Sequence, residues 1–176
     1  VGAVLLLISI SIVLTTTIDR KSPSNVPTPS PTSQNFAELA RIVASYLKDP
    51  SSIYSHEADN TPQSQAIKWM SEVDEYFYSS DEQILQRFAL ATFYFATDGN
   101  SWKGDHSFLS YNDECTWSGT NELTGTNYGV SCRDGSVTEL VFEDGVLSSG
   151  SLPAELSLLT QLERLVIKRD KDLKDT

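Results

Sequence analysis

The chain opens with eighteen residues that carry no charge, VGAVLLLISISIVLTTTI, and this run limits how much of the sequence is free to build a water-facing core. Twelve of the eighteen are apolar, one is glycine and five are serine or threonine, and the first charge is Asp19. As a helix rising about 1.5 Å per residue the run would span about 27 Å, close to the ~30 Å of a bilayer's hydrocarbon core. Serine and threonine do not oppose this, because in a helix their hydroxyls bond back to the preceding turn. Residues 1–18 are therefore expected to form a transmembrane helix acting as a signal anchor. A cleaved secretory signal and a buried core helix are the alternatives; the run is longer than a usual signal core, and no clean small-residue cleavage site follows it. Arg20 and Lys21 flank it, and the positive-inside rule would weakly place that side in the cytosol. The chain starts at Val1 and its one methionine is Met70, so it is expected to be a fragment or a processed product.

Composition changes sharply after the run. Residues 22–33, SPSNVPTPSPTS, hold four of the seven prolines and six serines or threonines. Such a segment has nothing to bury and is expected to be an extended spacer, so residues 19–34 read as a disordered stalk, plain or O-glycosylated. From residue 35 the apolar spacing becomes helical, and 35–98 is expected to be a helical region. Phe36, Leu39, Ala40, Val43, Tyr46 and Leu47 make one stripe. A second helix is expected from Thr61 and Pro62, a cap residue followed by proline, with Ala66, Ile67, Met70, Val73 and Phe77 buried. A third is expected from the Ser-x-x-Gln capping box at Ser80 to a stop at Asp98 and Gly99.

Charge and cysteine content remove several function classes. The net charge of −11 argues against nucleic acid as a partner, since phosphate binding needs clustered Lys and Arg. Residues 57–155 hold seventeen acidic and four basic side chains, a solvated acidic surface. Asp98, Asp105, Asp113 and Glu114 lack the spacing of a calcium loop, and two cysteines with two histidines do not fill a zinc site. No metal and no cofactor is expected. Cys115 and Cys132 are open to two readings, a disulfide or a pair of buried thiols, and an oxidising compartment would favour the first. Bonded, they would close a loop of about 17 residues and stabilise the fold by about 3 kcal/mol in the chain-entropy picture.

Behind the second cysteine a repeat begins. Val137, Leu140 and Phe142 form a triplet, followed by Leu147, Leu152 and Leu156, and the triplet returns as Leu162, Leu165 and Ile167 after 25 residues. A period of 20 to 29 residues with leucines so placed is the signature of a leucine-rich repeat, whose strand buries its alternate residues only against the next unit. Residues 137–176 are thus expected to be the first, truncated repeats, with these nine residues as their core, behind a cap at 99–136.

ILQRFALATFYFATDGNSWKG, CTWSGT, YGVSC and SLPAELSLLTQLERLVI together resemble the plant-type amino-terminal cap and first repeats of leucine-rich-repeat proteins. With the apolar run, the Pro/Ser/Thr stalk and TPQSQAIKWM, the layout is similar to membrane-anchored leucine-rich-repeat proteins of diatoms and related algae. The resemblance implies that Trp102 and Trp117 pack the cap, that Cys115 and Cys132 are its disulfide, and that the folded part recognises ligands outside the membrane. Two departures stand out: a long loop between Gly119 and Gly129, and Gly145 and Asp170 at positions where asparagine is usual.

The expected fold class is α/β, with a transmembrane helix, a mainly helical region and the start of a leucine-rich-repeat solenoid. The expected function is non-catalytic: a single-pass membrane protein binding an extracellular protein, peptide or glycan, its folded part extracytoplasmic. No nucleophile elbow, P-loop, zinc-protease or kinase motif is present in the sequence. The alternatives are the ectodomain of a receptor-like kinase and a structural or adhesive surface protein.

Overall fold

A computed structural model describes residues 36–54, 60–102, 105–120, 124–143 and 150–168. Their centre is the longest helix. We number the helices α1 (Phe36–Ala44), α2 (Ser51–Tyr54), α3 (Pro62–Glu72) and α4 (Asp81–Ala96), and the strands β1 (Asp105–His106), β2 (Ser118–Thr120), β3 (Asn127–Arg133), β4 (Ser136–Phe142) and β5 (Arg164–Ile167). Short 3-10 turns occupy Gly99–Ser101, Glu114–Thr116 and Ala154–Leu158.

Local chemistry sets the helix starts. Thr61 accepts a hydrogen bond from the Ser64 N–H at 3.1 Å, and Pro62 occupies the first helical position, where no amide partner is required. Ser80 caps α4 by accepting from the Gln83 N–H at 3.2 Å. Gln83 reaches back to the Ser79 N–H, one residue before the partner that a standard capping box uses. α4 is buried over most of its circumference: Ile84, Leu85, Phe88, Ala89, Leu90, Ala91, Phe93 and Tyr94 are all inside. Such a helix must be covered on several sides, here by α3, α1 and the turn at Ala154–Leu158.

The five strands form one sheet in the order β1-β2-β3-β4-β5, antiparallel throughout except for the parallel β4–β5 pair. Asp134 and Gly135, with φ of 52° and 79°, make the two-residue link between β3 and β4. Both residues are left-handed there, as the tight hairpin turn that matches strand twist requires. β5 then lies beside β4 with Leu140 opposite Leu165 and Phe142 opposite Ile167. The buried residues of helices and sheet make one contiguous cluster, in which Phe142 touches Phe93, Trp102, Phe108 and Tyr128 at centroid distances of 5.1, 4.8, 5.6 and 5.8 Å.

This architecture corrects the expected fold class. Among the described residues no helix is long and apolar enough to cross a membrane, and residues 1–18, where that helix was expected, lie outside them, as does the stalk. Nor do the described residues form a solenoid. The triplets do lie side by side at their 25-residue spacing, but as one parallel pair at the end of an antiparallel sheet. The reason is physical: the hairpin commits β4 to β3, and α4 with its aromatic neighbours covers Leu140 and Phe142, so no stack of identical rungs is needed to bury them.

The helix stripes also need revision. α1 ends at Ala44, leaving Tyr46 53% exposed, and Phe36 is 41% exposed. α3 ends at Glu72, after which the chain is extended and its period becomes two. Tyr78 is buried, with Asp74 and Tyr76 partly so, while Val73 and Phe77, expected inside, are 64% and 73% exposed. Trp69 takes the inward place.

Gly129 shows how tightly β2 and β3 are fitted. Its φ is +114°, and a Cβ there would stand 2.4 Å from the Trp117 carbonyl oxygen. At Gly135, with φ +79°, a Cβ would meet no atom within 4 Å. Gly129→Ala should lower stability by about 1–3 kcal/mol, more than Gly135→Ala. Urea unfolding midpoints of the two variants check this; equal losses would mean that only the backbone angle matters.

Candidate functional site

α4 lies behind one face of the sheet, against β4, with α1 and α3 packed on α4 in turn, and the other face is the candidate site. Pairing sets its rows. Ser118, Gly129, Val141 and Val166 are successive partners across β2, β3, β4 and β5, and Ser131, Glu139 and Arg164 make a second row. Between the rows runs a groove of about 510 Å³, with Thr120 and Asn127 at one end joined by a 3.0 Å hydrogen bond. The 25-residue spacing gives its charges partners. Glu139 bonds Arg164 at 3.0 Å and Glu143 bonds Lys168 at 3.2 Å, while Arg133 reaches Glu163 at 2.7 Å. These pairs are exposed, so they shape the surface and add little stability. The described residues of the face offer hydroxyls, an amide and paired charges.

Beneath this face lies the most constrained chemistry of the molecule. Arg87 of α4 is fully buried. Its Nε and one Nη donate to the two oxygens of Asp74 at 2.6 and 2.8 Å. The other Nη donates to Glu114 Oε2 at 3.1 Å, and the carbonyls of Asn112 and Ser110 accept the remaining hydrogens at 2.9 and 2.8 Å. All five donors of the guanidinium are thereby used. The rings of Tyr76, Trp117 and Trp69 surround it, with centroids 4.4, 4.6 and 5.4 Å from Cζ. Burial opposes the charge, but the hydrogen bonds and charge of Asp74, with Tyr78 and Glu114 behind, hold the guanidinium pKa above its ordinary value.

The carboxylates are secured in turn. Tyr78 donates to Asp74, and Gln86 donates to Glu114 Oε1 at 2.8 Å. The same Gln86 donates to the Gly135 carbonyl at 3.1 Å and accepts from the Val137 N–H at 2.7 Å, which ties α4 to the β3–β4 hairpin. Asp113 accepts from the Cys115 N–H at 2.8 Å and from the Tyr76 hydroxyl at 2.9 Å. Of the acids weighed for calcium, Asp113 and Glu114 are engaged here, and Asp98 sits at a left-handed position ending α4. Among the described residues no group of three potential ligands gathers to hold a metal.

The other anticipated residues divide. Cys115 and Cys132 are joined by a disulfide, which fastens the Glu114–Thr116 turn to β3. Trp117 is fully buried, with Trp69 at 5.8 Å and Phe108 at 5.3 Å. Trp102 is buried among Phe93, Tyr94, Phe108 and Phe142, its Nε1 donating to the Thr97 carbonyl at 3.1 Å. Of the anticipated repeat core, Val137, Leu140, Phe142 and Leu156 are buried, and Leu162 and Ile167 are half-buried. Leu165 and Leu152 are 44% and 48% exposed, the former on β5, the edge strand of the sheet among the described residues; Leu147 is outside the described residues.

Arg87 was not singled out from the sequence, although a signal existed. It is the one basic residue between Lys68 and Lys103, set inside the apolar run ILQRFALATFYF. A lone cation on the covered face of a helix needs buried anions, and Asp74 and Glu114 were the acids at hand.

No protein-family model, curated protein or solved structure matches this chain.

The buried phenols give the cluster a pH signature. Burial, then the hydrogen bond and charge of Asp74, push the Tyr78 pKa far above its ordinary 10, and burial with Asp113 raises that of Tyr76. A raised folded-state pKa means that between the unfolded and folded values the native state holds protons that the unfolded chain has lost. The stability the phenols contribute is therefore complete below pH ~10 and falls as pH rises beyond it. Tyrosinate absorbance and circular dichroism followed together should show Tyr78 ionising only as the chain unfolds, with Tyr76 and Tyr94, the latter raised by burial and Asp98, ionising later than a free phenol. Smooth titration of all seven in the folded state would contradict this.

Proposed function

We propose that this chain is a non-catalytic recognition module that presents the open face of its mixed sheet to a protein, peptide or glycan ligand. One observation carries the reading. The face of the sheet that carries Leu140 and Phe142 is buried against α4 and its aromatic neighbours, and the opposite face holds a groove of about 510 Å³ walled by Ser118, Thr120, Asn127, Ser131, Glu139 and Arg164. Side chains in strand register on a sheet backed by a packed core are held in place before a ligand arrives, which lowers the ordering cost of binding. The mixture of hydroxyls, an amide and paired charges suits hydrogen bonding to a polar ligand rather than bond cleavage.

The rest of the reading concerns setting. Attachment to a membrane through residues 1–18, with the folded part extracytoplasmic, is supported by the composition of that run and by the Cys115–Cys132 disulfide, a bond favoured outside the cytosol. Kinship with the amino-terminal caps of leucine-rich-repeat proteins rests on the sequence motifs.

Filling the groove tests the proposal. The folded chain and its Ser131→Trp variant, applied to glycan and peptide arrays, should differ: the parent captures ligands that the variant loses at an unchanged melting temperature. Ligands retained by the variant, or no capture by the parent, would overturn the reading.

A further inference from the structure

A second surface, away from the open face, combines an apolar wall with carboxylates that have no cation among the described residues. A cleft of about 360 Å³ runs between the segment after α1, the first turns of α4 and the Ala154–Leu158 turn, and an adjoining one of about 250 Å³ continues it along the β3–β4 hairpin. Glu82, Gln86 and Ser136 line both, so the two are one groove. At one end are Tyr46, Leu85, Leu158 and Leu159. The other end holds Asp134, with Glu82 where the two parts meet.

The groove has a fixed floor. Gln86 spends its amide on Glu114 and Gly135 and its oxygen on the Val137 N–H, so it is not free to swing outward. The walls are not closed: the Tyr46 ring is 53% exposed beside half-buried Leu158. Glu82 and Asp134 are exposed and neither is in a salt bridge among the described residues, although Glu139, Glu143 and Glu163 nearby in the sheet each have a cation.

From this we infer that the groove is a docking site for a basic, apolar peptide segment of a partner protein, its aliphatic side chains against Tyr46, Leu158 and Leu159 and its Lys or Arg side chains against Glu82 and Asp134. Charge complementarity selects this occupant. An anionic or purely polar segment would leave both carboxylates unpaired or the apolar wall wet, and the chain's net charge of −11 steers cations toward it. The site is independent of the open sheet face, and the two need not share a ligand.

The test titrates the isotope-labelled folded chain with three peptides, acetyl-LLRR-amide, acetyl-LLEE-amide and acetyl-SSRR-amide, following backbone amide shifts. The first should move the signals of Tyr46, Glu82, Ser136 and Leu159, and the second should move none. The third should bind at least about fivefold more weakly than the first, for want of apolar burial. The double variant Glu82→Gln/Asp134→Asn should bind the first peptide about fivefold more weakly, with the difference shrinking in high salt. Equal binding of the acidic peptide, no shifts with the basic one, shifts confined to the open sheet face, or undiminished affinity in the double variant would each overturn the inference.

Discussion

The Arg87 guanidinium is the constraint on which the rest of the structure depends. A cation without solvent contact must have every donor satisfied and its charge opposed, and the groups that do this come from distant parts of the chain. Asp74 lies in the extended segment after α3, and Glu114 with the Ser110 and Asn112 carbonyls in the loop before β2. Those requirements decide where α3 stops and which way the following residues face. They also decide where the disulfide-bearing turn sits against α4. The aromatic rings around the cation exclude water and add their own attraction to it.

This cluster explains how a helical half and a sheet half behave as one body. Glu114 ends at Gln86, and Gln86 ends at the β3–β4 hairpin, so a continuous polar path leads from Asp74 to the strand that carries the open face. The disulfide runs parallel to it, joining the same turn to β3. Aromatic packing around Phe142 fills the space between. The open face and the groove beside α4 thus share one rigid support, and each could bind without reorganising the other.

Some of this was legible in the sequence. Thr61 with Pro62, and Ser80 with Gln83, mark helix starts because capping is local chemistry that needs no knowledge of the fold. The 25-residue return of the leucine triplet marked two strands and their register, since alternation and spacing are properties of a strand. What covers those leucines is not a local property. The triplets suggested a solenoid, whereas the Asp134-Gly135 hairpin and the buried face of α4 make an antiparallel sheet backed by helices. Val73 and Phe77 misled for a related reason: helical spacing was carried past Glu72, where Asp74 leaves the helix to meet Arg87. The long-range partner that ends the helix is not visible in the residues around it. The open face itself was only indirectly legible, as the outward residues between the leucines.

The central claim is that a buried cation and its two carboxylates hold the halves together, and chemical unfolding of charge-altered variants tests it most directly. Arg87→Met should cost about 3–5 kcal/mol, because Asp74 and Glu114 would be left buried without their cation. The triple variant Arg87→Met/Asp74→Asn/Glu114→Gln should recover a large part of that loss, since the stranded charges are gone. A loss below about 1 kcal/mol for the single variant, or a triple variant no more stable than the single one, would contradict the account.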